Sequence, residues 1–281
     1  MRRLLRIFVI AIVIGAFALT PAMAHAAGAP MPQPASSKSS IIVYPELPPA
    51  SQPSRSCIVI GDSLTGRGAL TKYLKASAEA DSAKLRLTGT RGSDFNRHEG
   101  RSGWRMYDYI NRQSSSGITN AFYNPTARKF DFSYYMRVNG YLTPGYVLIE
   151  MGINDTFLYY SDNSLNAEIK NILSRYEAMI TSIRAYQSTI KIGILVTIPP
   201  TSIESTFRAD YGTRQTLSRY QRNNTLWVAA LKNRFRGRES SNIYLVPTDT
   251  GIDRAHIVGV HPDDTAYRQM AAVVWAWMKG H

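Results

Sequence analysis

The sequence predicts an α/β domain in which a mainly parallel sheet lies between two layers of helices. Five short apolar segments bounded by turn residues recur along the chain, and they alternate with segments of helical periodicity. Strands that alternate with helices form βαβ units, whose sheet is parallel and covered on both faces. Once the N-terminal region is set aside, about 225 residues remain, enough for one domain with a full hydrophobic core.

The predicted elements follow one another at regular intervals. The predicted strands are residues 57–60, 85–88, 146–151, 190–198 and 243–246. The predicted helices are residues 69–80, 104–112, 165–186, 216–236 and 265–278. Residues 114–144 interrupt the alternation with a long insertion that is rich in aromatic and turn residues. So many aromatic side chains argue against disorder. They either stack on sugar rings or belong to the core, and both interpretations stay open.

The N-terminal region predicts export. Arg2, Arg3 and Arg6 precede an apolar stretch over residues 7–19, which is followed by small residues that offer A-x-A cleavage sites. This is the layout of a secretory signal peptide, so we expect residues 1–26 to be a leader and the protein to be periplasmic or secreted. An uncleaved anchor is the alternative, but the apolar stretch is shorter than the ~20 residues of a spanning helix. We expect no stable membrane span after cleavage.

A linker and a single domain are expected to follow the leader. Residues 27–55 are rich in proline, serine and alanine, as is typical of a linker. Residues 56–281 then form the folded domain. The chain has one cysteine, Cys57, which lies inside the first predicted strand and is expected to be a core residue. The spacing of histidines and carboxylates matches no zinc pattern, so we predict no metal site and no cofactor.

The charge balance bears on possible partners. The formal net charge is +13, and three of the positive charges lie in the predicted leader. A basic exported protein can be drawn to an anionic polymer of the cell envelope. A solvated basic surface without a partner accounts for the charge equally well. Nucleic acid is not expected as a partner, because no compact cluster of lysine and arginine is interleaved with aromatic residues.

Four short polar blocks carry the chemistry. They are Gly61-Asp62-Ser63-Leu64, Ser102-Gly103-Trp104, Gly152-Ile153-Asn154-Asp155 and Val260-His261-Pro262. Ser63 directly follows the first predicted strand. A serine there can be a nucleophile if a base reaches its hydroxyl and if polar donors face the oxyanion of an acyl-transfer intermediate. The other blocks offer a glycine N–H, an asparagine amide and a histidine.

The predicted sheet explains how these distant blocks can meet. Ser63 follows the first strand, Gly103 lies in the loop after the second, and Asn154 follows the third. The carboxyl ends of parallel strands lie at one edge of the sheet, where doubly wound folds bind their ligands. His261 precedes the last predicted helix, which can return it to that edge.

These blocks, in this order, resemble those of the SGNH (GDSL) hydrolase superfamily from about Ser56 to the end of the chain. The resemblance implies a flavodoxin-like α/β/α sandwich with a five-stranded, mainly parallel sheet. It also implies that Ser63 is the nucleophile and His261 the base. The Ser63 N–H, the Gly103 N–H and the Asn154 side chain would form the oxyanion hole. A neutral amide suits that role because it donates without a charge that must first be neutralised.

One position departs from the family's pattern. The family usually has an aspartate three residues before the histidine, where this chain has Val258. Asp253, Asp263 or Asp264 could orient the imidazole instead. A main-chain carbonyl could also accept the Nδ1 proton, which would leave a Ser–His dyad. Of the other histidines, His98 is expected to be structural or to face the substrate.

The sequence therefore predicts an exported serine esterase that removes an O-acyl group, with acetyl favoured, from a carbohydrate or polysaccharide. A lipase or thioesterase for longer acyl chains is the nearest alternative, followed by transfer of the acetyl group to another glycan. A non-catalytic glycan-binding protein on the same scaffold is an alternative of a different class, because a fold alone does not prove activity. Val258 is the observation in its favour.

Overall fold

The computed structural model describes residues 55–281. The predicted signal peptide and nearly all of the predicted linker lie outside the described residues. The strands are β1 (Arg55–Gly61), β2 (Leu85–Thr88), β3 (Glu99–Gly100), β4 (Ser114–Ser115), β5 (Ile118–Thr119), β6 (Tyr123–Asn124), β7 (Lys129–Phe130), β8 (Tyr146–Glu150), β9 (Lys191–Leu195), β10 (Ile243–Val246), β11 (Ile257–Val258) and β12 (His261–Pro262). The α-helices are α1 (Ser63–Gly66), α2 (Ala69–Ala80), α3 (Met106–Asn111), α4 (Phe132–Val138), α5 (Ile153–Thr156), α6 (Asp162–Tyr186), α7 (Glu204–Tyr211), α8 (Leu217–Phe235) and α9 (Asp264–Gly280).

A parallel sheet forms the centre of the domain, with strand order β10-β9-β8-β1-β2. β1 pairs with β2 on one side and with β8 on the other, and all of these pairings are parallel. The short strand β3 continues the edge beyond β2, since Glu99 pairs with Ile60 at the end of β1. The strand order reverses between β1 and β8, so the chain's switch point lies between the ends of these two strands. The predicted three-layer α/β/α architecture is confirmed, with β3 as an additional short strand.

The side chains of β1 alternate between two cores. Cys57 and Val59 belong to one buried cluster, with residues of α2 and α9, whereas Ile58 and Ile60 belong to a second, with residues of α3 and α6. This alternation follows from the two-residue period of a strand. Each fully buried leucine or isoleucine stabilises the fold by roughly 1.5–3 kcal/mol relative to exposure. Burial on both faces therefore explains why the strands read as continuous apolar runs.

Several differences from the predicted elements bear on the site, and the first is that the one-turn helices α1 and α5, which carry Ser63 and Asn154, were not predicted. The helix predicted from residue 104 begins at Met106, because Asp108 Oδ2 accepts a hydrogen bond from Arg105 N at 2.9 Å and caps the helix there. Helix α7 was not predicted. It has only one buried residue, Phe207, so its sequence carries little of the apolar periodicity that signals a helix.

The insertion over residues 114–144 extends the core. It contains the hairpins β4–β5 and β6–β7 and the helix α4. Phe122, Phe130, Phe132 and Tyr135 are all buried, and the rings of Phe122 and Tyr135 stack with centroids 4.1 Å apart. These four aromatic side chains are therefore core residues and do not form a platform for sugar rings.

A buried ion pair anchors the second polar block to the end of β1. Arg101 Nη2 lies 2.8 Å from Glu99 Oε2, and both side chains are at most 1% exposed. The Arg101 N–H donates to Gly61 O at 2.9 Å, and Tyr109 Oη donates to the same oxygen at 2.8 Å. A buried ion pair persists only when its hydrogen bonds are satisfied, as they are here. The loop that carries Gly103 is thus held directly beside the residue before Asp62.

Among residues 55–281, no helix is both long and apolar enough to cross a membrane.

Candidate active site

Ser63 is the first residue of α1, one turn of helix that begins directly after β1. Asp62 caps this turn, since its Oδ1 accepts from Leu64 N at 3.0 Å. The Asp62 N–H in turn donates to Glu150 O at the end of β8, at 3.2 Å. The Ser63 side of the site is therefore fixed to both strands that flank the switch point. Asp62 braces the loop through these bonds.

Two buried carboxyl groups lie behind the serine. Asp62 and Glu150 are 0% and 3% exposed, and Thr65 Oγ1 donates to Glu150 Oε2 at 3.2 Å. Burial raises the pKa of Asp62 to about 7 and raises the pKa of Glu150 well above its ordinary value. The neighbouring negative charge of Asp62 adds to the shift at Glu150, because two adjacent carboxyls do not both ionise readily. The pair therefore holds a proton at neutral pH.

The loop that carries Gly103 is connected to the third block. Asn154 Nδ2 donates to Trp104 O at 3.1 Å, and Asp155 Oδ1 accepts from Met106 N at 2.9 Å. An asparagine amide has two N–H groups, so one remains for a ligand in the cleft. The bond to Trp104 fixes the orientation of that remaining donor.

Gly152 allows the third block to turn into the site. Its φ is +129°, and a Cβ atom there would lie 2.2 Å from Trp227 Nε1. Only glycine combines such a φ with so close a contact. The chain therefore turns sharply after β8 and brings Asn154 to the same edge as Ser63.

Two backbone N–H groups face the same region. Gly103 is exposed with a φ of +78°, and its N–H has no hydrogen-bond acceptor among residues 55–281. Ser63 opens α1, and the first N–H groups of a helix have no acceptor within it. The Gly103 N–H is therefore available to a ligand in the cleft.

His261 approaches the serine from the opposite wall. It lies on β12, which forms a small antiparallel hairpin with β11. His261 Nε2 lies 3.0 Å from Ser63 Oγ. Burial and, to a smaller extent, the positive charge of Arg67 lower the pKa of His261 to about 4, although the negative charge of Asp210 opposes the shift. The imidazole is therefore neutral at neutral pH and able to accept a proton.

Of the three aspartates considered as orienters of His261, Asp253 and Asp263 have other partners. Asp253 accepts from Ala255 N at 2.9 Å. Asp263 caps α9 and its Oδ2 lies 2.8 Å from His256 Nδ1. Asp264 lies in the first turn of α9. Within residues 55–281, no hydrogen bond joins any of these carboxylates to His261.

The position that the family usually gives to aspartate lies opposite the histidine in the hairpin. Val258 pairs with His261 across the hairpin, and 48% of the valine is exposed. Within residues 55–281, His261 Nδ1 bonds to neither a carboxylate nor a main-chain carbonyl, so the described geometry is that of a Ser–His dyad.

Asp210 is a residue near the site that the sequence did not single out. A Cβ atom on Gly259, whose φ is +61°, would lie 2.4 Å from Asp210 Oδ2. Glycine at this position therefore makes room for the carboxylate two residues before His261. Asp210 lies on α7, the helix that was not predicted, and the glycine in the hairpin turn was the only local signal.

The remaining histidine candidates lie elsewhere. His98 is 3% exposed and its Nδ1 accepts from Gly100 N at 3.0 Å, so it is a structural residue of the loop before the second block. His256 pairs with Asp263, which raises its pKa. Neither histidine lines the cleft described next.

The four blocks share one cleft. Its volume is about 760 Å³, and Ser63, Gly103, Asn154 and His261 all line it. Much of the remaining lining is cationic or hydroxylic, and it includes Arg67, Arg105, Arg112, Arg214, Ser102, Ser115 and Ser116. Among residues 55–281, no three histidine, cysteine or acidic side chains lie close enough together to hold a metal ion.

Comparisons with known proteins identify the family and the fold. The family model described as GDSL-like lipase/acylhydrolase matches residues 58–274. A search of curated protein sequences finds no significant match. Among solved structures, the chain is similar to a family 3 carbohydrate esterase of Clostridium thermocellum, with 14% identity, a TM-score of 0.54, and coverage of 79% of this chain and 94% of that one.

Two further structures show the same fold. A carbohydrate acetylesterase from Sinorhizobium meliloti is 14% identical, with a TM-score of 0.52 and coverage of 80% of this chain and 99% of that one. An aryl esterase of M. smegmatis is 15% identical, with a TM-score of 0.52 and coverage of 81% and 99%. Since the family model spans most of the chain, the protein belongs to the GDSL-like lipase/acylhydrolase (SGNH) family and is a carboxylic ester hydrolase.

Proposed function

We propose that the protein is an exported serine esterase that removes O-acetyl groups from a carbohydrate by a Ser–His mechanism. The observation that carries the proposal is the 3.0 Å distance between Ser63 Oγ and His261 Nε2 in a cleft that Gly103 and Asn154 also line. Export rests on the leader-like sequence of residues 1–26.

In the proposed mechanism, Ser63 Oγ attacks the ester carbonyl carbon while His261 Nε2 takes the hydroxyl proton. The carbonyl oxygen becomes an oxyanion and accepts from the N–H groups of Ser63 and Gly103 and from Asn154 Nδ2. The intermediate collapses, and the protonated His261 donates to the departing alcohol. His261 then deprotonates a water molecule, which attacks the acyl-enzyme, and Ser63 and the free acid are regenerated.

The cleft favours a short acyl group. Its aliphatic and phenyl side chains are Ile153, Phe157, Leu158 and Val260, which are outnumbered by charged and hydroxylic groups. A long acyl chain needs an extended apolar channel to leave water. Because the three structural neighbours named above are at most 15% identical, they establish the fold alone, and the choice of an acetyl ester rests on the cleft itself.

Nitrophenyl esters test this proposal. We expect hydrolysis of the acetate ester to exceed that of the octanoate ester, and Ser63→Ala to remove nearly all of it with an unchanged melting temperature. A serine-directed phosphonate should label Ser63 alone. Ser102→Ala is the matched control, since Ser102 lines the same cleft but, within residues 55–281, makes no hydrogen bond to His261. Full activity in Ser63→Ala, or a label on Ser102, would refute the mechanism.

A catalytically silent glycan-binding protein is the second candidate. The exposed valine at position 258 and the dyad geometry of His261 are the observations in its favour. This candidate predicts that wild-type protein and Ser63→Ala bind an acetylated glycan equally well and that neither hydrolyses any ester. Turnover that depends on Ser63 excludes it.

A further inference from the structure

The cleft carries positive charges that take no part in the proposed ester hydrolysis at Ser63. Four arginines line it, namely Arg67, Arg105, Arg112 and Arg214, and all four are exposed to solvent. The carboxylates of the lining are Asp108 and Asp155. The balance between these groups decides what kind of substrate the cleft attracts.

The two carboxyls offset little of this charge. Asp108 is shared, since its Oδ1 lies 3.5 Å from Arg112 Nε and its Oδ2 lies 3.7 Å from Arg105 Nε. Burial raises the pKa of Asp155 to about 8, so this group is mostly uncharged at neutral pH. Four guanidinium groups of the lining therefore face Asp108, which two of them already contact, and the mostly uncharged Asp155.

Of the four arginines that line the cleft, Arg67 and Arg214 have no carboxylate partner within residues 55–281. Within residues 55–281, neither side chain makes an ion pair or a hydrogen bond to another residue, whereas Arg105 and Arg112 both pair with Asp108. A guanidinium group offers five donors in a planar fork that fits a carboxylate or phosphate. Two such groups thus remain free to bind a ligand.

Arg67 also lies close to the reacting groups. It follows Ser63 by one helical turn, and its N–H donates to Ser63 O at 3.1 Å. Its charge acts directly on the imidazole, whose pKa it lowers. An anion bound to Arg67 would offset this effect and make His261 a stronger base in the complex. Binding and chemistry would then favour the same substrate.

We infer that the ester substrate carries an anionic group, a carboxylate or a phosphate, which Arg67 and Arg214 bind while its acyl group lies at Ser63. This inference rests on the proposed esterase function and specifies its substrate as an acylated acidic sugar. The anion site depends on the two unpaired guanidinium groups in the cleft, and not on the net charge of the whole chain.

Three matched esters test the inference. They are the 2,3-di-O-acetyl derivatives of methyl glucoside, of methyl glucuronoside and of methyl glucoside 6-phosphate, which differ only in the group at carbon 6. We expect kcat/KM for at least one anionic ester to exceed that for the neutral ester by about tenfold or more, since hydrogen bonds between charged groups are the strong ones. The preference should fall as salt is added. The carboxylate and phosphate arms distinguish the two anions.

Variants of the two arginines show whether they cause the preference for an anionic ester. Arg67→Gln and Arg214→Gln should each reduce the ratio of anionic to neutral kcat/KM severalfold. Arg236→Gln is the control, because Arg236 is exposed, follows the end of α8 at the opposite edge of the sheet, and does not line the cleft. It removes the same unit of charge. Equal kcat/KM for all three esters, or a preference that survives in the Arg67→Gln/Arg214→Gln double variant, would overturn the inference.

A binding measurement separates this inference from the proposed function. Calorimetry with Ser63→Ala protein and the same three esters should show tighter binding of an anionic ester and loss of that difference when Arg67 and Arg214 are both replaced. If wild-type protein hydrolyses no ester but this difference is found, the esterase proposal fails and the anion site stands. If all esters are hydrolysed alike and bind alike, the esterase stands and the anion site fails.

Discussion

The two walls of the candidate active site are held in different ways. On the serine wall, Asp62 bonds to both α1 and β8, and Asn154 bonds to Trp104. On the histidine wall, the β11–β12 hairpin carries His261. Within residues 55–281, the imidazole of His261 makes a single hydrogen bond, to the Ser63 hydroxyl. The serine wall is preorganised by hydrogen bonds to neighbouring elements, and the histidine wall depends on the hairpin's backbone. Under the proposed mechanism, we therefore expect oxyanion stabilisation to contribute more than orientation of the base.

The largest effect is expected on the serine wall. Asn154→Ala should lower kcat by ~10²–10³ with little change in KM, because removing one oxyanion donor costs that much in the transition state. Kinetics with the acetate nitrophenyl ester measure it. Asn171→Ala, on the exposed face of α6, is the matched control. An effect confined to KM would move Asn154 from the oxyanion hole to substrate binding.

Introducing a carboxylate on the histidine wall should raise activity, by a smaller factor than Asn154→Ala lowers it. Val258→Asp places an acid opposite His261 in the hairpin, where it can hold the imidazole and raise its pKa. We expect kcat/KM to rise by up to about tenfold, which corresponds to about 1.4 kcal/mol. Val258→Asn separates charge from polarity. A loss of activity in Val258→Asp alone would mean that the hairpin already holds His261 in the productive orientation.

The pH profile should move in opposite directions when the two charges near His261 are removed. The base acts when neutral, so kcat/KM should fall below about pH 4 and stay level above it. Arg67→Gln removes a cation that lowers this pKa, so the acid limb should move to higher pH. Asp210→Asn removes an anion that raises the pKa, so the limb should move to lower pH. Profiles recorded where circular dichroism shows a folded protein test both signs, and shifts in one common direction would contradict them.

The smallest effect on activity is expected from the three aspartates near the hairpin. Asp253→Ala, Asp263→Ala and Asp264→Ala should leave kcat/KM nearly unchanged, since none of these carboxylates bonds to His261 within residues 55–281. Asp263→Ala should lower the free energy of unfolding by ~1 kcal/mol, because it removes the cap of α9. Urea unfolding measures this. A drop of several orders of magnitude in activity for one variant would identify it as a third catalytic member.

The fold and the order of the polar blocks could be predicted because each depends on a local pattern. The structure has β2, β10 and α2 at the bounds that were predicted from their apolar runs and helical periodicity. Apolar periodicity is a property of neighbouring residues, so it is visible without tertiary contacts. Helix α7 escaped prediction because only Phe207 along it is buried.

The sequence by itself determined the α/β class, the family, and the four blocks around Ser63, Gly103, Asn154 and His261. Only the tertiary structure decided that Asp263 pairs with His256, that Asp210 lies against Gly259, and that four aromatic residues of the insertion are core. It alone brought Arg67 and Arg214 into one cleft. The physical reason is that a strand or helix follows from local periodicity. The partner of a charged side chain, in contrast, depends on how segments far apart in the chain pack together.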